Sequence, residues 1–245
     1  KNRYRNQMNK YIEHSAKQAI KESKEKLLFN KTIVYVHNPL PEEFNLDYVL
    51  EYIEKKVPEH LAYLIDAIYI GDFPFLKERD FNAFYEDGAI YTTNEQSNEE
   101  DMIDDIVHEM AHSVEQLAGT EIYADRNIEE EFLGKRKRLY HILNTEGYNI
   151  PESMILETDY NKEFDEILYK TIGYDKLVYL TMGLFVSPYG ATSLKEYFAN
   201  GFESYFIGDR ESLKKISPRL HNKLEFLTNY EYNQGGYWHG PKNKV

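Results

Sequence analysis

One short pattern, H-E-x-x-H at residues 108–112, dominates the sequence. Ser97 with Glu100 three residues later forms a capping box, which predicts that a helix begins near Asn98. Gly119 predicts the end of that helix. Between these signals apolar residues recur at steps of three and four, which is typical of a helix with one buried stripe. The residues of the stripe are Ile103, Ile106, Val107, Met110, Val114 and Leu117.

The two histidines of the pattern are predicted to lie on one face of this helix. His108 and His112 are four residues apart, which places them one turn from each other. Two imidazoles in this arrangement can share one zinc ion, with Glu109 beside them to take a proton from water. A pair of half-buried surface histidines is the plainer interpretation, but the capped, amphipathic helix around the motif favours a zinc site.

The composition limits which side chains could bind a zinc ion and which classes of partner the chain could bind. The chain of 245 residues contains no cysteine, so a zinc ion must be held by histidines and carboxylates. The net charge is −13, yet residues 1–31 carry nine Lys or Arg against three Glu. An acidic body disfavours nucleic acid and is compatible with a peptide or protein substrate, including a basic one. No run of 18 apolar residues exists, so no membrane insertion is expected.

The first half of the chain predicts a small sheet. Strands are expected at 32–36 and 65–70, with a helix between them that starts at Asn45 or Asp47 and ends at Lys56. Residues 84–92 contain a D-G turn and predict a hairpin or a bent edge strand just before the motif helix.

A strand at the edge of that sheet would matter for function. An edge strand at 88–93 could pair with the backbone of an extended peptide. Ala89, Ile90 and Tyr91 are therefore candidate substrate-binding residues. An ordinary sheet edge is the alternative.

The second half is predicted to be mostly helical. The basic run at 135–138 is interpreted as a solvated helix face, because most charge runs face water. Ser193 is expected to cap a helix that extends through Phe206. The other helices are predicted at 128–143, 164–169, 177–185 and 213–227. The expected organisation is a basic N-terminal helix or linker (1–30), a catalytic domain (31–228) and a loose tail (229–245).

A catalytic zinc ion needs a third protein ligand besides the two histidines. Glu115 lies one turn beyond His112, but three ligands from one straight helix span too far to meet at one ion, so it is interpreted as a supporting or surface residue. The helix that follows Ser193 offers Glu196 and Glu203 on one face. Spacing alone does not decide whether Glu196 or Glu203 is the third ligand.

At this point the sequence resembles a known family. The H-E-x-x-H motif together with residues 189–202, Tyr-Gly-Ala-Thr-Ser-Leu-Lys-Glu-Tyr-Phe-Ala-Asn-Gly-Phe, is similar to the catalytic domain of anthrax lethal factor and to the clostridial Pro-Pro endopeptidases. In that family a Tyr follows the motif, and seven positions later comes a Glu within an E-[FY]-F-A-x-x-F helix. Tyr189 and Glu196 have this spacing.

The resemblance implies a zincin-like α+β fold, with a small mixed sheet whose edge strand packs on the motif helix, followed by a mostly helical half. It implies that Glu196 is the third zinc ligand, that Tyr189 donates a hydrogen bond near the reacting carbonyl, and that Glu109 is the base. It also suggests secretion. The chain departs from the family at Asn200, where relatives have Glu, and in a longer interval before Glu196, with a helical insertion expected at about 120–160.

The function expected from these features is a zinc-dependent endopeptidase. A catalytically silent docking or structural domain is the alternative, attached to an upstream domain or an assembly partner. A hydrolase of non-peptide amides is a third possibility, which the expected edge strand disfavours.

Overall fold

The computed structural model describes residues 26–229 and two short strands in the tail. Its N-terminal half contains a five-stranded mixed sheet in the order β1-β2-β3-β5-β4. The parallel strands β2, β3 and β5 form the centre, and β1 and β4 run antiparallel to them at the two edges. The predicted α+β class with a small mixed sheet is confirmed. The strands are Lys26–Leu28, Thr32–Val36, Ala67–Gly71, Ala83–Glu86 and Ala89–Thr93, numbered β1 to β5.

The two faces of the sheet carry different side chains, because successive residues of a strand point to opposite faces. Val34, Ile68 and Ile90 are at most 2% exposed and form the sheet's side of the core. On the opposite face a row of tyrosines crosses β2, β3 and β5, with adjacent ring centroids 5.2 Å apart. The rings stack because the parallel register sets residues 35, 69 and 91 side by side.

The hairpin before the motif helix is confirmed, but the predicted edge strand is wrong. Asp87 and Gly88 both have positive φ (44° and 86°), the backbone of a tight type I′ turn. This turn folds the second arm inward against β3 and leaves the first arm, β4, at the edge. Ala89, Ile90 and Tyr91 therefore have a strand on both sides and offer no open main-chain edge to a peptide.

The helices α1 and α3 pack against the sheet and against each other. Asn45 caps α1, as predicted, by accepting a hydrogen bond from the Tyr48 N–H. The motif helix α3 is capped by Asn98 rather than Ser97, and it bends at Ala118 (φ −124°) instead of ending at Gly119. The helices of this half are Leu46–Lys56 (α1), Pro74–Arg79 (α2) and Glu99–Tyr123 (α3), and a 3-10 turn spans Glu59–Ala62.

The second half is helical, as predicted, with revised boundaries. The single helix expected at 213–227 is two, because Ser217 leaves helical geometry and Pro218 begins a new helix. The helices are Asn127–Thr145 (α4), Glu152–Leu156 (α5), Lys162–Glu166 (α6), Tyr174–Leu180 (α7), Leu194–Phe206 (α8), Arg210–Ile216 (α9) and Pro218–Asn229 (α10). A π-helical segment, Ile167–Ile172, continues α6, and a 3-10 turn spans Pro188–Ala191.

Two expectations about the ends of the chain also change. The predicted N-terminal helix or linker gives way at Lys26–Leu28 to β1, because this segment pairs with β2; residues 1–25 lie outside the described part. In the predicted tail, Glu231–Tyr232 (β6) pairs antiparallel with Trp238–His239 (β7), and residues 230, 233–237 and 240–245 lie outside the described part.

The interval at 120–160 belongs to the core. It forms the bent end of α3 together with α4 and α5, and α4 contacts α3, α8 and α10.

The basic run at 135–138 is not a solvated face throughout, because Lys135 and Arg136 are 6% and 0% exposed. Their side chains bond main-chain carbonyls of neighbouring segments, whereas Lys137 and Arg138 face solvent. Within the described residues, no helix has both the length and the apolar character needed to cross a bilayer.

Candidate metal centre

Two helices supply the residues of the centre. The buried stripe of α3 packs on the sheet, so its motif face, with His108 and His112, turns toward α8. Ser193 caps α8 by accepting a hydrogen bond from the Glu196 N–H (3.2 Å), which fixes Glu196 in the first turn. This local structure directs the Glu196 side chain toward the two imidazoles.

His108, His112 and Glu196 converge on one point. His108 Nε2 lies 3.0 Å from Glu196 Oε2, and His112 Nε2 lies 3.6 Å from Glu196 Oε1. One ligand atom from each residue can be chosen so that all three lie within 4.8 Å of one another. These three side chains could therefore hold a metal ion.

The donor set fits a cation. Glu196 Oε2 is buried and forms no hydrogen bond, although it lies beside an imidazole nitrogen. A buried carboxylate oxygen without a hydrogen bond is costly, and a metal ion would satisfy it. Two imidazole nitrogens and one carboxylate oxygen are also the combination found at open, three-ligand metal sites.

Each histidine is held on its far side by another carboxylate. His108 Nδ1–H donates to Glu203 Oε1, and His112 Nδ1–H donates to Glu115 Oε2 (2.9 Å). A carboxylate can only accept, so these bonds fix the proton on Nδ1 and leave both Nε2 atoms turned toward the centre. Glu115 and Glu203, both considered as ligands from the sequence, thus orient the histidines instead. The Tyr123 hydroxyl in turn donates to Glu115 Oε1.

The electrostatics of the cluster favour positive charge. Burial lowers the pKa of His108, but the adjacent carboxylates of Glu196 and Glu203 outweigh this effect, and the net pKa is raised well above its usual value. The pKa of His112 is raised in the same way, chiefly by Glu115 against the effect of burial. Burial raises the pKa of Glu196, but His108 reverses the effect and the net pKa is lowered. Carboxylates that draw protons onto imidazoles in this way also attract a metal cation.

Glu109 lies beside the centre and is 8% exposed. Its Oε2 accepts a hydrogen bond from the main-chain N–H of Tyr85 in β4 (2.7 Å), which orients the carboxylate. Burial raises the pKa of Glu109 although the nearby histidines and the Tyr85 N–H oppose it. A carboxylate with a raised pKa, fixed next to a metal site, can accept and return a proton.

Tyr189 lies beside His108 and is partly exposed to solvent. It lies in the 3-10 turn before α8, and its ring centroid is 6.0 Å from that of His108. Partial burial and the negative charge of Glu196 raise the pKa of its hydroxyl, so this group stays protonated and can donate a hydrogen bond. The predicted substrate residues Ala89, Ile90 and Tyr91 do not join the cluster; Ile90 is buried in the core and Tyr91 belongs to the tyrosine row.

Two residues that hold the Tyr189 turn were missed by sequence reasoning. Arg136 donates to the carbonyls of Ala191, Met154 and Glu157 and is stacked on a phenylalanine ring. On the other side, the Ser187 hydroxyl donates to Asn200 Oδ1. Arg136 lies inside a charged run, so no pattern marked it as buried. Asn200 was noted in the sequence only as a departure from the family, and its contact with Ser187 was not predicted.

Comparison with known proteins found no match. No protein-family model matches the chain, and no curated protein or solved structure matches it either. The resemblance to lethal-factor-type peptidases therefore depends on the two motifs in the sequence.

Proposed function

We propose that the chain is a zinc-dependent endopeptidase with a zincin-like fold, related to the lethal factor catalytic domain. The observation that carries the proposal is the convergence of His108, His112 and Glu196 beside a buried Glu109. Histidine and carboxylate donors without cysteine suit zinc at an open site. A metal held only for structure would not need a carboxylate base at its side.

In the proposed reaction, Glu109 and Tyr189 handle the proton and the developing charge. When bound, zinc supplies Lewis-acid chemistry, acidifying water and polarising a peptide carbonyl. Glu109 takes the proton from the attacking water with the oxygen that does not accept from Tyr85, and then delivers it to the leaving amine. The Tyr189 hydroxyl donates a hydrogen bond to the oxygen on which negative charge develops.

We propose that β4, rather than β5, receives the substrate backbone. Asn82 O accepts from the Thr93 N–H (2.9 Å), so by antiparallel alternation residues 84 and 86 bond β5 while Ala83 and Tyr85 turn their main-chain groups outward. Glu109 Oε2 accepts a hydrogen bond from the outward Tyr85 N–H, so this donor is already used. The N–H and carbonyl of Ala83 and the carbonyl of Tyr85 remain for an extended peptide that adds as a strand.

The decisive experiment compares the zinc-loaded chain with its Glu109→Ala variant on a proteome-derived peptide library. Metal content is measured on both proteins, and Glu78→Ala, a change of an exposed glutamate on α2, is the matched control. We expect cuts from the parent chain and the control, and none from the zinc-replete Glu109→Ala variant.

Either of two results would contradict the proposal. Equal cutting by Glu109→Ala would remove Glu109 from the chemistry. A parent chain that binds zinc and cuts no peptide would favour the docking-domain alternative.

A further inference from the structure

A cavity of about 500 Å³ adjoins the metal centre. It shares Glu203 with the centre, and the Glu203 carboxylate is the one that orients His108. It is also bordered by Ser187 and Pro188, which immediately precede Tyr189. A peptide bound at the metal centre would therefore have this cavity within reach of one of its side chains.

One wall of the cavity is apolar and open to solvent. Val178, Met182 and Val186 line it and are 40%, 73% and 42% exposed. Val178 lies on α7, and Met182 and Val186 lie in the segment that follows this helix. Exposed apolar groups beside a binding site favour contact with a ligand's hydrocarbon part.

The charged residues that line the cavity are all acidic. Asp104, Glu203 and Asp209 line it, and no Lys, Arg or His is among the described lining residues. Glu203 is engaged by His108, and Asp209 caps α9 by accepting from the Ser212 N–H. Asp104 has neither an ion pair nor a hydrogen bond within the described part of the chain. Burial and the charge of Glu203 raise the pKa of Asp104 to about 6, which a cationic partner would reverse.

A second polar group of the cavity also lacks a partner. Asn200 is 8% exposed and lines the cavity. Its Oδ1 accepts from Ser187, but its amide nitrogen donates to no group within residues 26–229. An unpaired amide donor that borders the cavity fits the carbonyl oxygen of a bound chain.

We propose that this cavity is a subsite for a lysine or arginine side chain of the peptide substrate. The hydrocarbon stem lies against Met182 and its neighbours, the cationic head meets Asp104, and Asn200 donates to a main-chain carbonyl of the peptide. Lys and Arg are the side chains that combine a long apolar stem with a charged end. The inference rests on the proposed endopeptidase function and names the substrate class of that site.

The test profiles cleavage sites of the zinc-loaded parent chain, Asp104→Asn, Asp104→Lys and the control Glu211→Gln. Glu211 is an exposed carboxylate on α9 that does not line the cavity. We expect Lys and Arg to be enriched at one position near the cleaved bond in the parent and the control. Asp104→Asn should lower that enrichment about tenfold, and Asp104→Lys should replace it with Asp and Glu. No enrichment in the parent, or enrichment that survives both changes of Asp104, would overturn the subsite.

A binding measurement separates this inference from the proposed function. Fluorescein-labelled alanine hexapeptides carry a single Lys, or norleucine as the uncharged match, at each position in turn. Their affinity is measured by anisotropy for zinc-loaded Glu109→Gln, with and without Asp104→Asn. A lysine preference that requires Asp104 and weakens with salt, found together with a zinc-loaded parent chain that cuts no peptide, would support the subsite and reject the peptidase. Equal affinity for both peptide sets, from a chain that cuts, would do the reverse.

Discussion

Glu115 Oε2 lies 2.9 Å from His112 Nδ1, so a carboxylate one turn further along the same helix holds the second histidine of the motif. Glu115 is itself fixed by the Tyr123 hydroxyl, beyond the bend at Ala118. The bend thus lets one helix supply both the histidine and the two groups that orient it. Glu203 serves His108 in the same way from α8.

Glu115→Gln should weaken metal binding without removing any proposed ligand. An amide is a weaker acceptor than a carboxylate and can also turn its nitrogen to His112, so the imidazole loses its fixed tautomer. Loss of such a partner typically lowers metal affinity about 10- to 100-fold. Competition with a chromophoric zinc chelator measures the change. An affinity equal to that of the parent chain would show that the His112–Glu115 contact does not orient the ligand.

Tyr189→Phe should separate turnover from metal binding. The change removes only the hydroxyl and keeps the ring beside His108. If Tyr189 donates to the developing oxyanion, kcat should fall by about 10²–10³ while zinc affinity and KM stay near those of the parent. Steady-state kinetics on one cleaved peptide, with zinc content measured in parallel, is the check. A variant that loses zinc together with activity would instead place the hydroxyl in the metal site.

Arg136→Met should destabilise the fold and loosen the Tyr189 turn. The fully buried guanidinium joins the carbonyl of Ala191 to those of Met154 and Glu157, and its removal leaves these acceptors unpaired. Unpaired buried groups cost about 1–3 kcal/mol each, so we expect the free energy of unfolding to fall by about 2–5 kcal/mol. Urea unfolding measures this change. Lys137→Met, on the exposed neighbour, is the matched control and should change it by less than about 0.5 kcal/mol.

Gly201→Ala tests the packing of α8 on α10. A Cβ at Gly201 would come within 2.3 Å of Cδ2 of Leu220, a side chain with no exposed surface. Overpacking of this kind typically costs about 1–3 kcal/mol, which outweighs the gain in helix propensity of about 1 kcal/mol. Gly134→Ala in α4 is the control, since its Cβ would meet nothing within 4 Å and should stabilise the chain. A destabilisation in Gly134→Ala equal to that in Gly201→Ala would contradict the packing argument.

The sequence predicted local structure well where a pattern is confined to neighbouring residues. The buried stripe of α3, the Asn45 and Ser193 caps and the turn at Asp87-Gly88 each depend on a few adjacent side chains. Such features are decided by short-range sterics and hydrogen bonds. The same locality explains why two of the residues at the centre, His108 and His112, could be placed on one helix face in advance.

Contacts between residues that are far apart in the chain could not be predicted from the sequence. The identity of the edge strand depends on which arm of the hairpin pairs with β3, and the first arm carries only one charge, Glu86 beside the turn, which did not suffice to mark it as the outer strand. The burial of Arg136 depends on carbonyls that are 18 to 55 residues away, which no periodicity reports. The separate roles of Glu196 and Glu203 likewise emerge only when α8 packs on α3, since seven-residue spacing puts both on one face.

Asp105 should make stability depend on pH in a defined direction. Burial is the main cause that raises its pKa, to about 6, and the Gln96 amide opposes this by donating to Oδ2. Because the pKa is higher in the folded chain than in the unfolded chain, the folded state binds more protons between about pH 4 and 6. The contribution of this group to stability is therefore present at low pH and is lost as the pH rises through 6. At neutral pH the folded chain carries a partly buried, ionised carboxylate.

Asp105→Asn removes this titration and keeps an oxygen that can accept from Gln96. The difference in unfolding free energy, variant minus parent, should become more positive by about 1–3 kcal/mol between pH 4 and pH 7. Urea unfolding of both proteins at each pH, with a chelator present, measures it. Other titrating groups are common to the two proteins and cancel in the difference. A difference that is flat, or that falls with pH, would mean that Asp105 ionises as freely in the folded chain as in the unfolded one.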